Sequence, residues 1–336
     1  MINGFELILG KHHYLFRGSE TPFNNTSSAG ISDNKYCTNK LLAMDGIPVP
    51  RGIALHVDEF ENGLVDEKIA GLNFPLVIKP LVDGAKGTGV LCNIQNAQQL
   101  YKLLKLFFQS CQHAIIEEFH GGLKSYRVLV FNRQVVGVVL RFPASVVGDG
   151  KHTIRELVDS TNIERQENNA LGPIAIDEEC LIRLKELGIT ADFVPPHGER
   201  VVLCYTSNAT RGGLYKSLGT TICKENRQLM VKVASRLNLM LTGIDVECTD
   251  INIPFELSKG VVIEVNQRPS IRIHELPISG KPVPVTKKII RHFIYRHPLP
   301  WVYALYSHKR TAMYFRTCII GCLIAIIYRW VLRTAI

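Results

Sequence analysis

The stretch FPLVIKPLVDGAKGTGV at 74–90 places a lysine at the end of an apolar run and follows it with glycines. Leu76, Val77 and Ile78 read as a buried strand that delivers Lys79 to its end, while Gly84, Gly87 and Gly89 let backbone N–H groups approach an anion without Cβ obstruction. That combination suits a polyphosphate. The spacing excludes three common cradles. No Lys-Ser/Thr pair closes the glycines as in a Walker A loop, and the dinucleotide pattern G-x-G-x-x-G is not met. The glycines follow the lysine, whereas a protein kinase places them before it, and no H-R-D or D-F-G comes later. Taken alone, the segment reads more simply as an exposed strand-end lysine beside a tight turn.

A second stretch, VIEVNQRPSIRIH at 262–274, shifts that balance. Its apolar strand ends in Glu264 and Asn266, whose i, i+2 spacing puts both oxygen-bearing side chains on one face. Asp245, in the strand-like LTGIDVE, adds another carboxylate. Two carboxylates, an amide oxygen and nucleotide phosphates form a hard-oxygen site for Mg2+, with Mn2+ as the alternative divalent ion. An isolated E-x-N is usually just a polar strand end, so its weight comes from order along the chain.

That order is Lys35, Lys79 with its glycines, IIEEFHGG at 115–122, then Asp245, Glu264 and Asn266. The sequence resembles the ATP-grasp superfamily of carboxylate-amine ligases, and within it the ligase domain of cyanophycin synthetase and the matching domain of bifunctional glutathione synthetases. The segments that carry the resemblance are SDNKYCTNKLLAMDGIPVP, FPLVIKPLVDGAKGTGV, IIEEFHGG with YRVLV, RFPASVVGDGKHTIRELV, GERVVL with NATRGG, TGIDVECTD and EVNQRPSIRIHELPISGKPVPV. Together they span roughly residues 32 to 292. The resemblance implies an α+β fold of two lobes with ATP between them. It also implies that Lys35 and Lys79 touch ATP phosphates, that residues 83–89 fold over them, and that Glu117, Glu118 and Phe119 form the adenine-side hinge. Asp245, Glu264 and Asn266 would hold magnesium. Arg127, Arg141, Arg272 and His274 match positions near the reacting carboxylate and γ-phosphate.

This chain departs from that pattern in places. Lys124 and Ser125 precede Tyr126 and Arg127 where the family usually carries an acidic residue for the ribose hydroxyls. Arg211 in NATRGG brings a charge where a small polar residue is usual, and Gln267 and Arg268 replace small residues after E-V-N. These changes point to an altered ribose contact and acceptor pocket.

Composition narrows the class further. With 336 residues, 46% of them hydrophobic, the chain can bury a sizeable core. Its formal charge of +9 is not spread evenly: after Glu275 there is no acidic residue and there are ten Lys or Arg. The remaining 29 basic residues nearly balance the 30 acidic ones. The excess belongs to the tail, and no nucleic-acid module is visible. Nine cysteines lack metal-ligand spacing and read as reduced thiols. The start MINGFELILGKHH has no signal-peptide character, so the body is expected to be cytoplasmic.

The elements that must position these residues follow from periodicity. Residues 1–34 read as a short, turn-rich N-terminal segment, an abbreviated version of the domain that precedes the family fold. A helix is expected over Lys35–Met44 and another over Gln95–Gln109, with Leu100, Leu103, Leu104 and Phe107 on one face. Strands are expected at 114–118, 126–131 and 134–142, the last two joined by Asn132-Arg133 as a hairpin. Residues 148–199 read as a more helical insertion, with Thr153 and Glu156 in a capping-box pattern. A helix at 226–239 leads to the Asp245 strand, and the ligase domain is bounded at 35–296. The hydrophobic, basic tail at 297–336 contains twelve uncharged residues, Thr317–Tyr328, about 18 Å as a helix. Extended to 313–332 it reaches the ~30 Å of a bilayer core, with Arg316 and Arg329 near its ends and Trp301, Tyr314, Tyr328 and Trp330 suited to an interface. Membrane association is favoured over a helix packed on the body.

The function these readings predict is an ATP- and Mg2+-dependent ligase that activates a carboxylate as an acyl phosphate and joins it to an amine. The acid is an amino acid or peptide, and a homo-oligomer is left open. The alternatives are a non-catalytic, nucleotide-sensing membrane protein and a phosphotransferase to a hydroxyl. The retained acidic set argues against the first, and an amide product would exclude the second.

Overall fold

The computed structural model describes residues 4–81, 89–167, 171–308 and 311–334. Its strands are β1 (Gly4–Leu9), β2 (His12–Arg17), β3 (Gly52–His56), β4 (Leu76–Pro80), β5 (Leu91–Ile94), β6 (His113–Glu118) and β7 (Lys124–Phe131). They continue with β8 (Gln134–Phe142), β9 (Ser145–Val147), β10 (Arg200–Val202), β11 (Leu214–Ser217), β12 (Leu241–Cys248), β13 (Val261–Asn266) and β14 (Ser279–Gly280). The chain divides into two compact units, Phe23–Val283 and Met1–Pro22 with Pro284–Ile336.

The large unit holds two sheets. A four-stranded sheet runs β3-β6-β4-β5 and a six-stranded one runs β13-β12-β7-β8-β11-β14. The amphipathic helix Ala97–Phe107 buries Leu100, Leu103, Leu104 and Phe107 in one core, with Leu76, Ile78 and Ile116 of the smaller sheet. The expected apolar face is therefore the buried one. Against the larger sheet, the helix Lys224–Arg236 buries Met230, Val233 and Ala234, and the helix Lys35–Met44 buries Leu42 in the same cluster. The β7–β8 hairpin turns at Asn132 and Arg133, both at positive φ, as a tight two-residue connection with the strands' own twist requires.

A third cluster lies in the predicted insertion, where the helices Ile154–Gln166 and Glu178–Glu186 pack with β9 and β10. Thr153 and Glu156 form the reciprocal capping box expected of them.

Residues 1–34 contain more structure than their turn-rich composition suggests. β1 and β2 pair as an antiparallel hairpin, and Asn25 caps the helix Thr26–Asp33 by accepting from the Ser28 N–H at 2.8 Å. Residues 23–33 join the large unit through specific bonds: Asn24 Nδ2 donates to the carbonyls of Leu241 and Gln267, and Ser32 Oγ to that of Val265. In the small unit, Tyr14 and Phe16 pack on the buried Phe293 of the helix Val285–Arg296, and Tyr14 Oη lies 2.5 Å from His297 Nε2. By contact, then, residues 23–34 go with the large unit and 285–296 with the small one, whereas the sequence put the breaks at 34/35 and 296/297. The helix Ala312–Thr334 completes the small unit and leaves its apolar side chains exposed.

Candidate active site

A cleft of about 560 Å³ opens in the large unit, lined from β4 and the end of β6 on one side and from β7, β8, β12 and β13 on the other. Its volume falls within the roughly 300–1,000 Å³ typical of small-molecule sites. Lys35, Lys79, Glu118, Phe119, Arg127, Arg141, Asp245, Glu264 and Asn266 all line it. Residues separated by more than 200 positions thus converge on one site. Gly84 and Gly87 lie outside the described residues; Gly89 begins the next described segment.

The lysines arrive on different elements. Asn34 caps the helix Lys35–Met44 by accepting from the Cys37 N–H at 2.9 Å, which fixes Lys35 in its first turn, and Lys35 Nζ meets Glu264 at 3.1 Å. Lys79 ends the buried strand β4, with Nζ 2.7 Å from Glu117 Oε2 on β6. Asn39 Nδ2 donates to the other Glu117 oxygen at 2.7 Å. Burial opposes the Lys79 charge, but the charge and hydrogen bond of Glu117 outweigh it and raise the ammonium pKa. Glu117 therefore serves as the buried counterion of Lys79, and the structure does not present it to the cleft as an adenine contact. Glu118 and Phe119 do line the cleft. Glu118 accepts from the Asn73 backbone and side-chain N–H groups, both at 2.9 Å, and the Phe119 N–H donates to the Pro75 carbonyl at 2.8 Å.

The acidic set lies on adjacent strands. Asp245 on β12 stands directly opposite Glu264 on β13 and Arg127 on β7. Arg127 grips Asp245 through Nε and Nη2, and Arg141 Nη1 adds a contact at 3.1 Å. Gly243 makes room for this arrangement, since a Cβ there would lie 3.0 Å from Arg127 Cδ and 2.8 Å from Pro269. Burial raises the pKa of Asp245, but the two arginines overcome it and hold the carboxyl below its ordinary value. Among the described residues that line the cleft, Arg141 Nε, Asn266 Nδ2 and the His120 ring Nε2 are buried without a hydrogen-bond partner.

Arg272 and His274 are placed elsewhere, which corrects their expected position beside the reacting groups. Arg272 lines a separate, more open cavity with Ser145, Glu164 and Arg165. His274 is fully buried, and the bare Gly137 of β8 lets its ring come so close that a Cβ there would lie 2.5 Å from Nδ1. Neither ring nitrogen has a hydrogen-bond partner, and burial, with Arg127 adding to it, pushes its pKa down to about 3. Arg211 is also accounted for by structure rather than by an acceptor pocket. It pairs with Asp177 and, at 2.7 Å, with the buried Glu179, which also accepts from the Tyr205 and Thr206 N–H groups. Gln267 and Arg268 remain at the cleft, both turned to Asp33.

One cleft residue escaped the sequence reading. Glu247 lies two positions after Asp245 on β12, so the pleat puts both on one face. That i, i+2 pattern was the available signal. Burial pushes its pKa up to about 7 against the pull of Lys79 and Arg141.

Residues 32–193 match the RimK-like ATP-grasp domain. Cyanophycin synthetase of Synechocystis sp. is 32% identical over 292 residues, 85% of this chain and 33% of that protein. The glutathione biosynthesis bifunctional protein GshAB of Pasteurella multocida is 29% identical over 297 residues, 84% of this chain and 38% of that protein. The crystal structure of a bifunctional glutathione synthetase from Pasteurella multocida superposes with a TM-score of 0.58 at 27% identity, over 88% of this chain and 41% of that one. The chain spans about a third of the length of the curated relatives it matches.

Proposed function

We infer from its RimK-like ATP-grasp domain at residues 32–193, and from its α+β ATP-grasp fold, that this protein is an ATP- and Mg2+-dependent carboxylate-amine ligase. Its acid substrate is an amino acid or short peptide, a reading supported by its likeness to a cyanophycin synthetase and a glutathione biosynthesis protein. The observation that carries this reading is the convergence of Lys35, Lys79, Arg127 and Arg141 with Asp245, Glu264 and Asn266 on one cleft.

In this reading a carboxylate oxygen attacks the γ-phosphorus, the bond to the ADP oxygen breaks, and an acyl phosphate forms. The amine then attacks the carbonyl carbon, phosphate leaves with the C–O electrons, and the nitrogen loses a proton. Lys79 and Lys35 offset charge on the phosphates, and the buried Arg141 Nε supplies a donor for an anionic oxygen. Arg127 fixes the orientation of Asp245. The donor set fits a divalent ion. Among the described residues no three His, Cys, Asp or Glu converge, and Mg2+ accepts two carboxylates and an amide oxygen with phosphate and water completing its shell. When bound there it would neutralise phosphate charge and align the γ-phosphoryl group.

Attachment to a membrane is part of the same proposal. The stretch Ala312–Leu332 is 21 residues long, apolar enough to cross a bilayer, and not buried in the protein. Its length matches the roughly 20 residues a spanning helix needs.

A phosphate-release screen over pairs of amino acids and short peptides, with mass detection of the product, tests the reaction. An amide with one phosphate released per bond is expected. A phosphoester would indicate transfer to a hydroxyl, and nucleotide binding without turnover on any pair would favour a sensing role.

A further inference from the structure

Among the described residues five carboxylates line the cleft, and four already have partners. Asp33 is engaged by Gln267 and Arg268, Glu118 by Asn73, Asp245 by Arg127 and Arg141, and Glu264 by Lys35. Among the described residues Glu247 accepts no hydrogen bond and meets no cation at ion-pair distance, although it lines the same cavity. Its place is defined by register. Glu247 on β12 stands opposite Ser125 on β7, which in turn stands opposite Arg141 on β8. Along that rung Arg141 Nη2 donates to Ser125 Oγ at 2.9 Å, while Nη1 reaches across to Asp245. Ser125 and Glu247 both line the cleft, and on this rung the carboxylate comes from the neighbouring strand.

Both oxygens of a carboxylate, and the carbonyl oxygen of its protonated form, accept hydrogen bonds, so a ligand that pairs with Glu247 through them brings donors. The phosphates of the proposed reaction are anions and bring none. A vicinal diol brings two adjacent O–H groups, which match two carboxylate oxygens. Glu247 feels the charge of Lys79, on the phosphate side, and lines the same cleft as the aromatic Phe119. In a nucleotide, the sugar joins the phosphates to the base. Resting on the reading of this cleft as a nucleotide site, we propose that Glu247 holds the ribose hydroxyls of ATP, doing from β12 what Ser125 cannot do from β7.

The test compares binding of ATP, 2′-deoxy-ATP and 3′-deoxy-ATP by calorimetry with the full-length protein. The wild type should bind at least one deoxy form about 10-fold more weakly than ATP, the scale of one hydrogen bond to a charged group. Glu247→Ala should abolish that preference, and Ser125→Asp added to Glu247→Ala should restore it by returning a carboxylate to the same rung. If the alanine variant does not fold, Glu247→Gln, which keeps the shape, should still lose most of the preference. Undiminished discrimination in a folded variant overturns the assignment, as does equal wild-type affinity for all three nucleotides. Weakened binding of the amine substrate alone would reassign Glu247 to that ammonium group. A wild type that binds no adenine nucleotide defeats the nucleotide-site reading itself, a result distinct from all of these.

Discussion

Asp245 and Glu264 face each other across β12 and β13, and each is neutralised by a different cation: Asp245 by Arg127 and Arg141, Glu264 by Lys35 at 3.1 Å. Two carboxylates directly opposite in a sheet repel, so the cations are what allow the pair to be preorganised. In the proposed reaction the ATP phosphates would compete with Glu264 for Lys35, which would leave Glu264 free to help hold a divalent ion. The site thus exchanges one set of charge pairs for another.

The first prediction tests that exchange. Glu264→Gln removes one charge at nearly constant shape and should lower turnover ~100- to 1000-fold, the usual cost of losing one electrostatic stabiliser. Its melting temperature should change little, because Glu264 is partly exposed and its partner Lys35 is held by a capped helix. Near-wild-type ligation at saturating Mg2+ would remove Glu264 from the metal set.

Lys79 should behave differently, because it is tied to folding as well as to phosphate. Lys79→Ala leaves Glu117 buried with only the Asn39 bond, and breaking a buried pair costs about 3–5 kcal/mol. Both thermal stability and turnover should fall. The double variant Lys79→Met with Glu117→Gln should recover much of the stability, since no buried charge is stranded, yet leave turnover low. Recovery of turnover in the double variant, by initial rates, would show that Lys79 does not act on phosphate.

How far the sequence reached depends on the kind of signal. Apolar periodicity located the helix on Leu100, Leu103 and Leu104 to within two residues at each end, and a turn dipeptide located the Asn132-Arg133 hairpin. The grouping of Lys35, Lys79, Asp245, Glu264 and Asn266 was legible from the order along the chain of the recognisable elements that carry them, a helix start for Lys35 and apolar strands for the other four. What the sequence did not carry was the choice of partner. Glu117 and Glu118 are adjacent and alike, and only strand register decides that the first turns inward to Lys79 while the second lies at the cleft. His274 was misplaced for a similar reason: its burial depends on Gly137, distant in sequence, offering a side-chain-free face. Residues 23–33 were underestimated because side-chain bonds from Asn24 and Ser32 to distant carbonyls, and not apolar periodicity, anchor them.

The buried His274 gives a pH prediction. Its folded value of about 3 lies below the ordinary 6.5, so the unfolded chain takes up a proton that the folded chain refuses. The stabilisation is complete above pH 6.5 and declines as pH falls toward 3. Between pH 6 and pH 4 the loss from this group should be about 2–3 kcal/mol. His274→Asn removes the titrating ring, so its stability should fall less steeply over that interval than the wild type's, measured by denaturant unfolding. Parallel curves would mean that His274 gains a proton in the folded state and that its buried setting is not maintained in solution.

The last prediction separates the tail from the chemistry. The cleft-lining residues all precede position 269, in the large unit, whereas the apolar helix Ala312–Thr334 belongs to the small one. Exposed Ile319, Ile320, Leu323, Ile324, Ile326 and Ile327 run along that helix, with Tyr314, Tyr328 and Trp330 near its ends. A side-chain distribution of this kind suits lipid in the middle and an interface at each end. Removing residues 312–336 should therefore move the protein from the membrane pellet to the supernatant while leaving ligation rates within about twofold, because no proposed phosphate, metal or ribose contact is deleted. The small unit should keep its own packing, since Tyr14 and Phe16 meet Phe293 upstream of the cut. Fractionation of the full-length protein without detergent provides the control. If that protein is already in the supernatant, or if the truncated form aggregates, the helix covers an apolar surface of protein instead of entering lipid.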